Sequence, residues 1–437
     1  MNSSDQMRHA LFVAYHYPPE ASSSGVLRTL KYTRHLVEHG WRVTVLTLRR
    51  DAYGEVDASL ERQIPEAVRV VRTGYINTKR HLSLWGRYPS FLAVPDRWIG
   101  WYPWAVRAAR RLYAEDPFEL VYSTSPHATT HIIAGSISNW SGVPWVMDFR
   151  DPWYEEPPEP GTPAIVHWMA RRLERRAISR ARFVVTSTSR LQGELVTRYP
   201  QQRGKIRCIF NGYDEADFAA LPEPKLRGDG ILRVVHAGSI NAEFRDPTPL
   251  LRALRRASDE GGVELQHVYL RFIGPGPYAD SPAMTRAVQE LGLGDNIEFV
   301  ARVPYAEALQ QIADADVLLL LQASADTVGL VPAKLYEYLR AGHPVLAAVW
   351  PGITADVLRE TAGGWAVDPR DESALVEAWT EIYRGWRAGD LMKHAAPRQR
   401  LERYSRRSLA AELAALFDTA AAAGCQAGIR RGPSTPW

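Results

Sequence analysis

An α/β fold, with two doubly wound parallel-sheet domains in tandem, is what this chain of 437 residues predicts, and three observations carry it. Short β-branched and aromatic runs alternate with stretches whose apolar residues recur at helical spacing. The links between them are short, which with right-handed crossovers makes the strands parallel. A Pro/Gly/charge-rich stretch without apolar period, AALPEPKLRGDG at 219–230, interrupts this pattern, and the pattern then restarts.

The elements follow in order. HALFVAYHY reads as a strand that stops at Pro18-Pro19. Val26, Leu30, Thr33, Leu36 and Val37 then mark a helix that ends at Gly40. WRVTVLT, RVVRT, LVYSTS, PWVMDF, RFVVTS and IRCIFN are further strands, with helices near 102–114, 128–140, 162–180 and 188–199. Beyond the break, LRVVHAGS, VYLRFIGPG, NIEFVARV, ADVLLLLQ and HPVLAAV are strands, with helices at 247–257, 282–291, 305–313 and 332–341. The expected division is an N-terminal domain over 1–218, a linker over 219–230 and a C-terminal domain over 231–399. A last helix over 400–423 is expected to pack back on the first domain, followed by a flexible tail over 424–437.

Composition narrows the function. With 46% hydrophobic and 23% charged residues the chain is globular rather than disordered. The net charge of +4 is small for this length, which argues against a duplex nucleic-acid binder. Residues 1–200 hold 26 Lys/Arg and 19 Asp/Glu, leaving 27 and 30 of the chain's 53 and 49 for the rest, so a basic first half precedes a mildly acidic second half. Cys208 and Cys425 cannot build a disulfide framework and form no CxxC pair. No apolar run approaches the roughly 18–20 residues of a membrane span, and the start of the chain does not read as a secretory signal. These features lead us to expect a cytoplasmic protein. Open parallel sheets bind ligands at the carboxyl ends of their strands, which favours nucleotide-type ligands.

The most informative segment is DTVGLVPAKLYEYLRAGHPVLA, 326–347. Pro332 suits the first turn of a helix, where its missing N–H costs nothing. The amides of Gly329, Leu330 and Val331 would then point out of a positive helix end, with Lys334 beside them, and a phosphate would offset both charges. One turn on, Glu337 offers a carboxylate to a ribose diol. Gly274 and Gly276 in IGPG would let a base approach the backbone. Gly25, between the first strand and its helix, would allow amides to approach a diphosphate; Arg28 would reach the same anion or face solvent. Asp148, Arg150 and Asp151 in DFRDPW follow a strand end, where an ion pair shaping the loop and an acceptor-binding role are about equally weighted. His127 in SPHATTH follows another.

Two metal readings fail. His127 and His131 are spaced for one helix face but lack a third ligand. Asp314-Ala315-Asp316 lies where a helix meets a strand, the wrong context for a divalent ion. RRLERRAISRAR at 171–182 with Trp168, and Trp98, Trp101 and Trp104 near arginines, leave two readings open: core indoles with solvated arginines, or a peripheral contact with an anionic membrane surface.

PAKLYEYLRAGHPVLA resembles the donor-site helix of the retaining, B-type-fold glycosyltransferases of family 4. The resemblance runs on through YHYPPEASSSGVLRTLKYTRHLVEHGWRVTVLT, PDRWIGWYPWA, YSTSPHATTHIIA, VPWVMDFRDPW, NGYDEADF, HAGSINAEFRDPTPLLRAL and FIGPGP. It implies two Rossmann-like domains facing across a cleft, a nucleotide diphosphate-sugar held mainly by the second, and a glycan or lipid-linked acceptor held mainly by the first. It further implies retention of configuration, and no metal or other cofactor is expected, since Arg245, Lys334 and helix dipoles can offset the charge of the leaving diphosphate. Of the family's two glutamates separated by seven residues, the second matches Glu337 and the first falls at Gly329, with Asp326 nearby but out of register. The family's diphosphate-gripping arginine and lysine fall at Ser239 and Arg245. His127 matches a histidine near the sugar's reactive carbon, in a register that also allows Ser125 or Pro126. The resemblance therefore implies diphosphate contacts from Gly25, Ser239, Arg245, Gly329, Leu330, Val331 and Lys334, nucleoside contacts from Gly274, Gly276 and Glu337, acceptor contacts from Asp148 and Arg150, and catalytic positions at His127 and Asp151. A sugar-nucleotide 2-epimerase and a non-catalytic nucleotide-sugar binder are the rival readings.

Overall fold

Apolar runs covered by helices on both faces become strands buried along nearly their whole length, as in β1 (Arg8–Ala14), where all but Arg8 are buried. The computed structural model describes residues 7–22, 25–83, 88–154, 156–158 and 160–427. The chain divides into two units, Met1–Phe210 with Arg406–Trp437, and Asn211–Ser405.

The first unit adds β2 (Trp41–Leu48), β3 (Arg69–Thr73), β4 (Leu120–Thr124), β5 (Trp145–Phe149), β6 (Phe183–Thr186) and β7 (Ile206–Cys208). They form one parallel sheet in the order β3-β2-β1-β4-β5-β6-β7. Numbering only helices of nine residues or more, the first unit carries α1 (Gly25–Glu38), α2 (Tyr102–Glu115), α3 (Thr129–Ser141), α4 (Ala164–Arg180) and α5 (Ser189–Arg198). The second unit holds β8 (Leu232–Ala237), β9 (Val268–Ile273), β10 (Ile297–Val300), β11 (Val317–Gln322), β12 (Val345–Val349) and β13 (Gly364–Val367), also parallel, in the order β10-β9-β8-β11-β12-β13. Its helices are α6 (Thr248–Asp259), α7 (Pro282–Glu290), α8 (Tyr305–Ala313), α9 (Ala333–Ala341), α10 (Ile353–Thr361) and α11 (Glu372–Ala388). The last helix, α12 (Arg406–Ala427), returns to the first unit. In both sheets the order reverses beside the first strand, β1 or β8, which opens a crevice at the carboxyl ends of these strands.

Two apolar layers flank the first sheet. Leu11, Val13, Leu46, Val121, Met147 and Val184 pack with Trp98, Trp101 and Trp145 on one side. Phe12, Val43, Val45, Tyr122 and Val146 pack on the other with Leu409, Leu413 and Phe417 of α12, which recur at helical spacing. The Phe417 ring lies 5.3 Å from that of Trp41 and 6.1 Å from that of Phe12. One core, from Leu232 and Val234 through Trp379 and Ile382, fills one side of the second sheet.

Several expectations are corrected. The first break falls after Phe210, not after residue 218, and 219–230 lies inside the second unit. The last helix expected from 400 is split: the short helical turns Arg398–Leu401 and Glu402–Tyr404 stay with the second unit, and the long helix begins at Arg406. Residues 424–427, expected in a flexible tail, continue α12, and 428–437 lie outside the described residues. The sequence reading also passed over β13, α10 and α11. Four residues opened by Gly364 carry too little apolar signal to announce an edge strand.

Candidate active site

At the carboxyl end of β8 the chain turns through Gly238, whose φ of +125° suits only glycine. A Cβ there would collide with Lys334 Nζ, so the ammonium occupies the space that glycine leaves. Lys334 Nζ donates to the Ala237 carbonyl at 2.7 Å, and the Ala237 N–H donates to Tyr338 Oη at 2.8 Å. In the loop that follows, Arg245 Nη1 donates to Ser239 Oγ at 2.7 Å. Burial first, then the neighbouring Arg245, push the Lys334 pKa down to about 7, with Glu337 opposing the shift. Burial also lowers that of Arg245. Two cations crowded into partly dry space favour an anion between them.

The neighbouring strand ends in Gly274-Pro275-Gly276, both glycines with positive φ (+63° and +78°). The Pro275 carbonyl accepts from Ile240 N–H at 2.9 Å, which ties this turn to the loop after β8. Glu337, on α9, accepts from Tyr305 Oη at 2.9 Å. The structure therefore brings Ser239, Arg245 and Lys334 together beside the Gly274–Gly276 turn. It changes the amide assignment. Pro332 is extended (φ −66°, ψ 138°) and caps α9 rather than opening it. The Leu330 N–H is spent on the Thr327 carbonyl at 3.0 Å, and the Val331 side chain is buried. The first-turn amides without an intrahelical acceptor are those of Ala333 and Lys334, because Leu335 N–H bonds the Pro332 carbonyl at 3.0 Å. Gly329 lies in the turn before this cap; the side chain of Asp326 is outside the described residues.

In the first unit, Gly25 opens α1 and the Arg150 guanidinium packs directly on it. Arg150 Nη1 is buried and makes no hydrogen bond among the described residues. Burial lowers the Arg150 pKa, and Asp151 partly offsets that. The loop is held by the Arg150 N–H, which donates to Ser125 Oγ at 2.7 Å, and by Ser187 Oγ, which donates to the Arg150 carbonyl at 3.0 Å.

Asp148, expected at the acceptor, has its carboxylate engaged inside the first unit. It is fully buried and accepts from Arg28 Nε (3.2 Å) and Nη2 (2.9 Å), Tyr122 Oη (2.7 Å) and Thr124 Oγ1 (2.8 Å). Burial alone would raise its pKa; the Arg28 charge and these bonds outweigh that and hold the carboxyl below its usual range. Arg28 also donates to the carbonyls of Phe210 at 2.7 Å and Ile209 at 3.0 Å, so it is buried with Asp148 as its counter-ion rather than facing solvent. This pair is a strut between α1 and β5.

His127 stands in an aromatic box, 4.3 Å from the Tyr15 ring, 5.8 Å from His16 in a stacked arrangement and 6.0 Å from Trp98. Burial, then the charges of His16, Arg97 and Arg150, lower its pKa to about 3, so the ring stays neutral near pH 7. Sequence reasoning missed its neighbour. His16 Nδ1 pairs with Glu20 Oε2 at 2.7 Å. Burial pushes Glu20 up, but hydrogen bonds from His16 and Ser22 hold it below its usual range. A carboxylate on Nδ1 orients the imidazole and keeps a proton on that nitrogen. The signal was present as H-x-x-x-E after the first strand. Gly238 and Tyr305 were also missed.

The remaining aspartates and histidine are structural. Asp314 pairs with Arg227 at 2.8 Å, buried Asp316 accepts from Arg233 N–H at 2.8 Å, and His131 is buried against Ser123 Oγ at 2.8 Å.

Comparison with known proteins gives this geometry a family. Residues 25–212 match the glycosyl transferase 4-like domain, and residues 232–384 match the glycosyl transferases group 1 domain. The chain belongs to the family 4-like glycosyltransferases with the B-type fold. No curated protein matches it. Solved structures similar to the glycosyltransferase include HepE of Anabaena in complex with UDP, with TM-score 0.66 and 14% identity over 94% of this chain and 100% of that one. A glycosyltransferase from Rickettsia africae has TM-score 0.65 and 12% identity, covering 94% and 98%. The sucrose-phosphate synthase of Thermosynechococcus elongatus has TM-score 0.60 and 16% identity, covering 95% and 100%. At these identities the likeness shows the fold.

Proposed function

We propose that this glycosyltransferase moves a sugar from a nucleoside diphosphate-sugar to a hydroxyl of a surface-polysaccharide or glycolipid precursor on the cytoplasmic side, with retention of configuration. The observation that carries the donor half is the Ser239–Arg245–Lys334 cluster around Gly238 at the carboxyl end of β8. In this reading Arg245 and Lys334 lie on the diphosphate, joined by the amides at the start of α9. Glu337, already oriented by Tyr305, accepts from the ribose hydroxyls, and the Gly274–Gly276 turn lies under the base. The C1–oxygen bond breaks with its electron pair passing to the diphosphate. The acceptor oxygen bonds C1 on the same face, and its proton passes to a diphosphate oxygen. As charge grows on the leaving group, fixed cations stabilise it without reorganisation, so a divalent ion is not required. Within the first unit, Arg150 beside Gly25 and the His127–His16 pair are the groups assigned to the acceptor.

A panel of nucleotide sugars, screened by thermal shift and then by diphosphate release with lipid and glycan acceptors, tests this. Release coupled to a glycosylated product is expected. Interconversion of the sugar, or binding without turnover, overturns it. Arg245→Ala is expected to lower kcat/KM by about 10²–10³ with the fold retained.

A further inference from the structure

One surface of the first unit takes no part in the sites above. Phe91, Ile165 and Trp168 are 58%, 56% and 56% exposed, and Leu92 is 38% exposed. Phe91 and Leu92 belong to the single turn Ser90–Ala93, Ile165 and Trp168 to the start of α4, and these two elements touch each other. Scattered exposed apolar residues need no explanation; four large ones on adjoining elements do.

The rest of α4 supplies the charge. Positions 165, 168, 172 and 175 recur at helical spacing as Ile, Trp, Arg and Arg, all exposed, with Arg171 and Arg180 exposed alongside. The Arg172 guanidinium lies 5.7 Å from the centre of the Trp168 ring. The one acid on α4, Glu174, is fully buried, where it accepts from Arg198 Nη1 at 3.0 Å and Tyr199 Oη at 2.7 Å. Among the described residues, the acid found near the outward arginines is Glu156, 3.8 Å from Arg171. The outward face thus runs from an apolar end into arginines whose charge the helix itself does not neutralise.

We propose that this face, Phe91, Leu92, Ile165 and Trp168 with Arg171, Arg172 and Arg175, docks the protein on an anionic lipid surface. Indole and phenyl rings suit the headgroup boundary, where arginines keep their heads among phosphates. Two copies of the face would oppose like charge, which disfavours self-association through it. The proposal rests on the glycosyltransferase reading only for its purpose, which is to hold the enzyme where a lipid-linked acceptor lies; docking needs no sugar nucleotide.

The full chain is sedimented with phosphatidylcholine vesicles with and without phosphatidylglycerol, at low and high salt. Binding is expected only with the anionic lipid and is expected to weaken as salt screens it. Each arginine near the surface contributes about fivefold in partitioning, so the double variant Arg172→Glu with Arg175→Glu is expected to lose at least 25-fold. Ile165→Ser with Trp168→Ser is expected to lose about tenfold or more. Donor-site thermal shifts with nucleotide sugars, and transfer to a soluble acceptor, are expected to stay unchanged in both variants, which separates failure of docking from failure of the catalytic reading. No sedimentation, equal sedimentation of wild type and variants, or a solution dimer that Ile165→Ser with Trp168→Ser dissolves overturns the proposal.

Discussion

Lys334 gives the sharpest test of the donor site, because its role predicts a count of protons. Burial and Arg245 bring its pKa to about 7 in the empty site. A diphosphate between the two cations favours the charged form and returns the lysine toward its ordinary value of about 10.4. The diphosphate of a nucleotide sugar is a diester with fixed charge across this range, so the proton count belongs to the protein. At pH 8 the empty site holds about 0.1 of the Lys334 proton and the complex nearly all of it, so binding takes up about 0.9 of a proton; at pH 6 it takes up about 0.1. The corresponding affinity falls by up to about tenfold per pH unit between 7 and 10. Isothermal titration in buffers of different ionisation enthalpy, using the nucleotide sugar identified by thermal shift, measures the uptake directly. Lys334→Met is expected to abolish it. The sign for the empty protein is the opposite: with the folded pKa below the unfolded one, the unfolded chain binds the extra proton more readily. The destabilisation is then full below about pH 7 and gone above about 10.5. Lys334→Met is therefore expected to raise the melting temperature more at pH 6 than at pH 9. Uptake near zero at pH 8 in the wild type, or uptake that survives Lys334→Met, removes Lys334 from the anion site.

Gly238→Ala forces a strained φ and drives a methyl into Lys334 Nζ, so nucleotide-sugar affinity is expected to fall at least about tenfold while circular dichroism is unchanged. Asp148→Ala leaves the Arg28 guanidinium buried without its partner, which predicts a loss of about 3–5 kcal/mol in urea unfolding; retained stability with an acceptor KM effect would restore Asp148 to the acceptor site. Glu20→Gln frees the His16 tautomer, and turnover is expected to fall by about 10²-fold or less with nucleotide-sugar affinity unchanged. Unchanged turnover would make the pair a loop tie and nothing more.

The strands and most helices were legible because the central parallel strands, buried on both faces, are continuous apolar runs. The partly exposed edge strands β3 and β7 carry a weaker pattern, and all seven runs read in the first half joined one sheet. The donor cluster was legible in part. Lys334 and Glu337 fall one turn apart on a single helix, so local spacing links them. That Arg245 and Ser239 converge on the same lysine was suggested by family resemblance rather than by spacing. The edge strand β13 and the 210/211 boundary were not legible. A strand opened by glycine carries little pattern, and a boundary is set by which contacts the chain makes and not by its local composition.

What the amino-acid order determined alone is therefore periodicity and punctuation: two sets of parallel strands, the glycine turns after them, and a helix start with a lysine beside it. Tertiary structure decided which charges are spent and which are available. Asp148 and Arg28, 120 positions apart, neutralise each other in the first core. Lys334 and Arg245 meet without an acid close enough to restore their ordinary pKa values. Burial and proximity set that difference, and both belong to packing across the sheet, which no local window of sequence contains.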